Sequence, residues 1–324
     1  MESVVGGLPA DLPASLFVVL HSCPELPSRL PELLSRAGTL PVGHAIDGER
    51  FRRGHIYVAP PDHHLLLRDG TMLLTLGPRE NGFRPAVDPL FRTAAHEHGR
   101  RVVGIVLSGA LDDGTRGLAE IKRAGGVAIA QRVDEATIPG MPMSAIRNVE
   151  VDHVVPASAI APLIVQLATE PVRRGAVNAR TRGRHYVAEH RSRELSSSHL
   201  GSPSPFTCPE CGGALWERRD GKLTNFHCHV GHSCTAEGLA SGLNDRVERA
   251  MWTALRTLEE STVLQQRFAK QARTRGLDSL ARAHEQRART SALRARVIHD
   301  ALTNDVVRAL RPTRATHRKQ AQSG

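Results

Sequence analysis

Short strand-like runs alternate with helical patterns through the first 170 residues of the chain. Residues 16–20 and 102–108 are mostly apolar runs of strand length, and residues 115–124 have helical periodicity. A strand that is apolar throughout is typical of a sheet covered on both faces. Alternating strands and helices favour a parallel arrangement. We therefore predict an α/β domain over residues 1–170, built on a mostly parallel, doubly wound sheet with helices on both faces.

One pair of strands within this domain should be antiparallel. Residues 64–68 and 71–76 are apolar runs that flank the dipeptide Asp69-Gly70. Both turn residues tolerate a positive φ, which the tight turn of a two-residue hairpin requires. The pattern predicts a β-hairpin at this point.

The second half of the chain has a different organisation. Residues 171–205 are rich in Arg, Ser, Gly and Pro without apolar periodicity, and we predict a disordered basic linker there. Residues 206–235 form a compact Cys/His unit. Apolar residues then recur every three or four positions, which predicts an α-helical hairpin over residues 236–306, interrupted at Gly276. Residues 307–324 read as a basic tail.

Charge and composition limit the class of protein. Residues 1–170 carry 16 basic and 19 acidic side chains, whereas residues 171–324 carry 27 and 14. The basic half could meet nucleic acid, but aromatic residues make up only 3% of the chain, so bases would find few stacking partners. No apolar run is long enough to cross a bilayer, and no signal peptide is recognisable at the N-terminus. We expect a cytoplasmic protein without membrane insertion or nucleic-acid binding.

The Cys/His unit has the spacing of a zinc ribbon. It contains a C-x2-C-x16-C-x3-H pattern, whose members are Cys208, Cys211, Cys228 and His232. Thiolate and imidazole ligands in this spacing favour a tetrahedral, structural Zn²⁺. Cys234 could replace His232, and His227 or His229 would be poorer substitutes. Four protein ligands leave no open position on the ion, so the zinc should not be catalytic, and we expect no cofactor for catalysis.

Two polar residues follow predicted strands of the α/β domain. His21 comes directly after the run 16–20, and Asp113 lies in the loop after the run 102–108. Ligands of open parallel sheets bind beyond the carboxyl ends of the strands. A histidine and an aspartate that meet at that edge can form the orienting half of a hydrolase triad, although a packed histidine and a turn aspartate would explain the same pattern.

The first half of the chain resembles the catalytic domain of the bacterial chemotaxis methylesterases (CheB-type). The segments that carry the resemblance are residues 18–21, 47–49, 54–60, 84–91, 107–109, 113–115 and 139–142. They occur in the order and spacing of the family. The resemblance implies a Ser-His-Asp triad that hydrolyses glutamyl methyl esters on chemoreceptors and releases methanol. It assigns the catalytic histidine to His21 and the catalytic aspartate to Asp113.

The family's nucleophile turn, G-x-S-x-G-G, does not occur in the chain. Two explanations stay open: a start upstream of Met1 supplies it, or the strand and the serine have been lost. In the second case we expect an inactive hydrolase. Cys23 is more plausibly a packed thiol than a substitute nucleophile. The alternative function is a non-catalytic signalling scaffold on a degenerate esterase domain, and in either case the expected partners are a methylated chemoreceptor or related signalling protein and a second copy bound through the C-terminal helices.

Overall fold

The computed structural model describes residues 1–22, 27–171, 201–221 and 223–309. Most of the predicted linker, Cys23 and the end of the predicted basic tail lie outside the described residues. The chain forms two compact units, Met1–Gly242 and Leu243–Gly324.

Parallel strands form the centre of the first unit. The first three strands, β1 (Ser15–Val18), β2 (Val42–His44) and β3 (His55–Val58), form a parallel sheet in the order β1-β3-β2. An antiparallel hairpin follows, made of β4 (His64–Arg68) and β5 (Thr71–Thr75). A second parallel sheet contains β6 (Val103–Val106), β7 (Val127–Gln131) and β8 (His153–Val155) in that order.

The hairpin between β4 and β5 turns at the two residues that the sequence indicates. Asp69 has a φ of 49° and Gly70 a φ of 74°. Two successive positive φ values match the twist of the flanking strands, so the predicted hairpin is confirmed.

Six helices flank the two parallel sheets. They are α1 (Glu2–Gly6), α2 (Leu30–Ala37), α3 (Val87–His98), α4 (Thr115–Arg123), α5 (Gly140–Asn148) and α6 (Ala157–Thr169). Buried residues of α1, α2 and α6 share one apolar core, and those of α3, α4 and α5 share another. In β6, Ile105 packs toward the first core and Val106 toward the second, as alternating side chains of a strand require. The predicted parallel arrangement with flanking helices is therefore confirmed.

The parallel strands do not join into one sheet within the described residues. Neither β1 nor β6 has a second strand partner there. Leu16 and Val18 of β1 nevertheless pack against the same apolar cluster as Ile105 and Leu107. The two sheets thus share a core although their facing edges are not hydrogen-bonded to each other.

A small antiparallel sheet, here called the β-module (residues 202–235), follows in the first unit. It consists of β9 (Ser202–Thr207), β10 (Ala214–Asp220), β11 (Leu223–Cys228) and β12 (Ser233–Thr235), in the order β12-β11-β10-β9. The module begins earlier than the predicted boundary at residue 206, because Ser202 and Pro203 pair with Glu217 and Trp216 of β10.

Two long helices end the described chain. They are α7 (Ala236–Thr274) and α8 (Asp278–Ala309). Gly276, with a φ of 72°, lies between them, where the sequence predicts an interruption. Leu255, Ala295 and Leu302 form a buried cluster between the two helices. The predicted helical hairpin is confirmed, and none of the described helices is long and apolar enough to cross a membrane.

Candidate active site

His21 and Asp113 meet at the carboxyl-end edge of the parallel strands. His21 follows β1, and Asp113 lies between β6 and α4. The imidazole Nε2 of His21 is 2.7 Å from Oδ2 of Asp113. The Asp113 side chain is fully buried, whereas 19% of the His21 side chain is exposed. The pair therefore has a buried carboxylate that can orient a histidine and an imidazole that a substrate can reach.

Backbone N–H groups hold the Asp113 carboxylate in place. Val87 and Asp88 donate to Oδ2 and Oδ1, at 2.7 and 3.3 Å, and Gly114 donates to Oδ1 at 3.0 Å. Val87 and Asp88 are the first residues of α3, so their N–H groups have no acceptor within the helix. The carboxylate caps this helix end, and the helix end in turn stabilises its negative charge.

The loop before α3, residues 78–86 and here called the 78–86 loop, contributes two more contacts. Asn81 Nδ2 donates to Asp113 Oδ1 at 3.1 Å and to Asp88 Oδ2 at 3.0 Å. The ring of Phe83 stacks parallel to the His21 imidazole, with 3.7 Å between the ring centroids. Asn81 has a φ of 53°, a conformation that asparagine tolerates better than most residues. The imidazole is thus oriented by Asp113 and covered on one face by Phe83.

This geometry leaves one ring nitrogen for chemistry. Because Nε2 of His21 faces Asp113, Nδ1 is the nitrogen left to exchange a proton with a nucleophile or a leaving group. Within the described residues, no serine hydroxyl is hydrogen-bonded to His21. The structure thus pairs an imidazole with a buried carboxylate, and the catalytic roles of His21 and Asp113 stay predictions.

Two buried carboxyl groups near the His21–Asp113 pair have pKa values shifted in opposite directions. Burial, reinforced by the charge of Asp113, raises the pKa of Asp88 to about 7. Burial would also raise the pKa of Glu80, but the guanidinium of Arg92 holds it at about 2. Arg92 donates two hydrogen bonds to that carboxylate, at 2.9 and 2.7 Å. Near neutral pH the paired Glu80 is therefore negatively charged, while Asp88 binds a proton readily.

The ends of the 78–86 loop are fixed by His64. Its Nε2 donates to the carbonyl of Pro78 at 3.0 Å, and its Nδ1 accepts the N–H of Ala86 at 3.3 Å. Burial lowers the pKa of His64, which fits a neutral ring with one donor and one acceptor nitrogen. Arg84 pairs with Asp62 at 2.7 Å. His64 and Arg84 together hold the 78–86 loop in place.

The four predicted metal ligands form one cluster in the β-module. The ligand atoms of Cys208, Cys211, Cys228 and His232 all lie within 4.8 Å of one another. The sulfurs of Cys211 and Cys228 are 3.7 Å apart, and His232 Nδ1 is 3.4 Å from Cys228 Sγ. A tetrahedral zinc with Zn–S bonds of about 2.3 Å would separate two sulfurs by about 3.8 Å. The donor set and spacing therefore fit a closed zinc site, and Cys234 is not part of this cluster.

Comparison with known proteins identifies the first half of the chain. A family model described as CheB methylesterase matches residues 1–164. The chain belongs to the CheB methylesterase family. This confirms the resemblance seen in the sequence motifs.

Relatives and a solved structure agree with this assignment. A Pyrococcus horikoshii protein named protein-glutamate methylesterase/protein-glutamine glutaminase is 40% identical over 171 residues, which cover 52% of this chain and 46% of that protein. A Leptospira interrogans relative with the same two activities in its name is 34% identical over 52% of this chain and 87% of its own length. The CheB methylesterase catalytic domain of Thermotoga maritima matches with a TM-score of 0.50 and 32% identity, over 51% of this chain and 90% of that chain. The chain thus spans about half the length of several curated relatives.

Sequence reasoning missed Asn81, Phe83 and the backbone donors of α3. Asn81 precedes Gly82, and this dipeptide indicates a turn, but nothing local shows that its side chain reaches Asp113. Phe83 lies just before the matched segment 84–91. Neither contact has a local sequence signal, because both depend on how distant segments pack.

Proposed function

We propose that His21 and Asp113 are the general base and its orienting carboxylate in a serine hydrolase that removes methyl esters from glutamyl side chains of a signalling protein. The observation that carries the proposal is the 2.7 Å contact between the partly exposed imidazole and a buried carboxylate held by helix N–H groups. The names of the relatives supply the substrate class. A methylated chemoreceptor as substrate and a cytoplasmic location belong to the same proposal.

The reaction would use Nδ1 of His21. This nitrogen accepts the proton of the serine hydroxyl while the serine oxygen attacks the ester carbonyl carbon. The imidazolium then protonates the departing methoxide, which leaves as methanol. A water molecule deprotonated at the same nitrogen attacks the acyl carbon, the serine oxygen takes the proton back, and a glutamate carboxylate is released. Asp113 stabilises the imidazolium in both halves of the reaction.

The nucleophile decides whether a particular chain is active. Residues 1–324 do not contain the turn G-x-S-x-G-G. Removing the serine of a triad lowers turnover on the order of a million-fold. We therefore expect residues 1–324 alone to release almost no methanol, and a chain that also carries that turn to be active.

The experiment measures methanol release from a carboxyl-methylated receptor fragment. It compares residues 1–324 with the same residues extended by the in-frame upstream codons of the gene. In an active extended chain, His21→Ala should abolish release, whereas His63→Ala, whose ring contacts the carbonyl of Pro61, should leave it unchanged. An extended chain that carries the turn but releases no methanol would favour the scaffold alternative.

The same base could serve amide hydrolysis. The relatives are also named protein-glutamine glutaminase, and the leaving group of a glutamine side chain takes its proton from an imidazolium as methoxide does. We propose glutamine deamidation as a second reaction of this site. Ammonia release from an unmethylated receptor fragment tests it, and His21→Ala should abolish both activities together.

We further propose that the β-module is a zinc ribbon with a structural ion. So small a sheet has little apolar core, so the metal would supply much of its folding free energy. Metal analysis should find about one zinc per chain, lost in Cys208→Ser and kept in the matched variant Cys234→Ser, because Cys234 lies outside the ligand cluster. A metal-free, folded module would contradict the proposal.

The homodimer through the C-terminal helices stays a prediction. Trp252 and Phe268 are 48% and 40% exposed on α7, and Leu293 and Val297 are 64% and 63% exposed on α8. Light scattering after gel filtration would show a mass twice that of the chain if these helices pair between copies, and a single-chain mass would contradict the prediction.

A further inference from the structure

The β-module is hydrogen-bonded to the 78–86 loop. The carbonyl of Ser233 in β12 accepts a hydrogen bond from the backbone N–H of Asn81 at 2.9 Å. The N–H of Ser233 donates to the carbonyl of Arg79 at 3.4 Å. Glu80 and Ser233 form a parallel bridge. The last strand of the module is therefore paired, backbone to backbone, with the loop whose side chains orient Asp113 and cover His21.

A second link reaches the same place from the other side. Burial raises the pKa of Asp112, the neighbour of Asp113, and the side chain of Thr235 partly offsets that rise. Both Thr235 and Asp112 are buried, at 3% exposure each. One short strand thus touches the loop of the catalytic aspartate and the loop of the residues that orient it.

We propose that the β-module is a positioning element that acts on the His21–Asp113 pair through Asn81. A metal bound to the module keeps Asn81 in place, and through it the hydrogen bond between His21 and Asp113. The inference rests on the proposed function of the pair, since it assigns a role to the module in that site. Asn81 acts through Asp113 and is a positioning residue. Its side-chain amide bonds the carboxylates of Asp113 and Asp88.

Two of the four predicted metal ligands lie in the turn before the strand that makes these contacts. Cys228 and His232 close one tight turn, in which the N–H of Cys228 is donated to the carbonyl of His232 at 3.0 Å and the N–H of Gly231 to that of Cys228 at 3.0 Å. Ser233 follows His232 directly. A metal bound to both ligands would add to the backbone hydrogen bonds of the turn and fix the direction in which β12 leaves it.

The contact to Ser233 matters because Asn81 is buried. Only 6% of Asn81 is exposed, so an N–H that lost its acceptor there would be costly. The loop is also supported by the Glu80–Arg92 pair, the Arg84–Asp62 pair and the His64 contacts, which belong to the α/β domain. Release of β12 should therefore loosen Asn81 while leaving the rest of the domain folded.

Hydrogen exchange before and after metal removal tests the inference without turnover. The probe is zinc itself, removed from residues 1–324 with a chelator. We expect exchange of the Asn81 amide to speed up by at least about tenfold, and that of Ile129 in the buried strand β7 to stay unchanged. Asp220→Asn, which removes the peripheral Arg123–Asp220 pair, is the control and should leave Asn81 protected in the zinc-loaded chain.

A second measurement tests the side chain of Asn81 with the metal in place. The Nε2 proton of His21, bonded to a buried carboxylate, should give a resolved downfield NMR signal. Asn81→Gly removes the side chain but keeps the positive φ free of strain, and we expect it to lose this signal while binding zinc normally. Asn148→Ala, on α5, is the matched control and should keep the signal.

Any of three results would overturn the inference. Unchanged exchange at Asn81 after metal removal, or equal acceleration at Asn81 and Ile129, would show that the module does not act on this loop in particular. A His21 signal that persists in Asn81→Gly would remove Asn81 from the positioning role. Neither measurement needs a nucleophile, so an extended chain that carries the turn but releases no methanol would refute the proposed function and leave these results interpretable.

Discussion

The buried ion pair between Glu80 and Arg92 offers a direct test of the electrostatics around the site. Arg92 projects from α3 and forms two hydrogen bonds with Glu80 in the 78–86 loop. Only 11% and 12% of the two side chains are exposed. The substitution Arg92→Met keeps an unbranched side chain of similar reach and removes the charge.

The expected loss is large because Glu80 stays behind. Removing one partner of a buried ion pair costs about 3–5 kcal/mol, which for a unit of this size lowers the melting temperature by roughly 6–20 °C. Without Arg92, burial should raise the pKa of Glu80 above its ordinary value. Glu80 would then bind a proton more tightly in the folded than in the unfolded variant, so the stability of Arg92→Met should fall as the pH rises above about 4.5.

The assay is urea unfolding, followed by circular dichroism at pH 5 and pH 8. It compares the natural chain, Arg92→Met, Glu80→Gln and the double variant. We expect Arg92→Met to lose more stability at pH 8 than at pH 5. The double variant should recover part of the loss, since it no longer buries an unpaired carboxylate. A loss below about 1 kcal/mol, as for an exposed pair, or one that does not depend on pH, would refute the reasoning.

Two further predictions concern the packing of α3 and α4. Burial and the charge of Asp113 raise the pKa of Asp88 to about 7, so the folded state holds a proton that the unfolded state releases. The free energy of unfolding should therefore fall between about pH 4 and 7, by up to about 1.4 kcal/mol per pH unit. In urea unfolding, Asp88→Asn should lack this contribution, and identical pH slopes in the two proteins would contradict the assignment. A Cβ on Gly117 would clash with the Cβ of Phe91, so Gly117→Ala should lower the unfolding free energy by about 1–3 kcal/mol despite the better helix propensity of alanine. Gly43→Ala, where a Cβ meets nothing within 4 Å, is the control. An equal effect of the two changes in urea unfolding would argue against a steric cause.

Local patterns predict much of this fold because their physical causes are local. The Asp69-Gly70 turn needs only two residues that accept positive φ, and Gly276 needs only to end a helix. The approach of His21 to Asp113 follows from a topological rule, since the carboxyl ends of parallel strands share one edge. The clustering of the four predicted metal ligands follows from their spacing within one short segment. Each of these predictions uses information carried by the residues concerned.

The parts that could not be predicted depend on contacts between distant segments. Asn81 bonds Asp113, 32 residues away in sequence, and its backbone N–H is bound by Ser233, about 150 residues later in the chain. Strand β9 begins inside a Pro- and Ser-rich stretch that reads as linker, because β10 provides a partner for Ser202 and Pro203. In both cases tertiary pairing overrides a local pattern that favours a loop.

The arrangement of donors around Asp113 bears on how the site would acquire activity. The carboxylate is held by the first turn of α3, by the residue before α4 and by the 78–86 loop, and Phe83 fixes the plane of the imidazole. None of these groups belongs to a nucleophile turn. The orientation of His21 is therefore set independently of any serine. A serine brought within hydrogen-bond distance of Nδ1 would meet a base whose position is already set, which is the condition under which preorganised groups accelerate a reaction most.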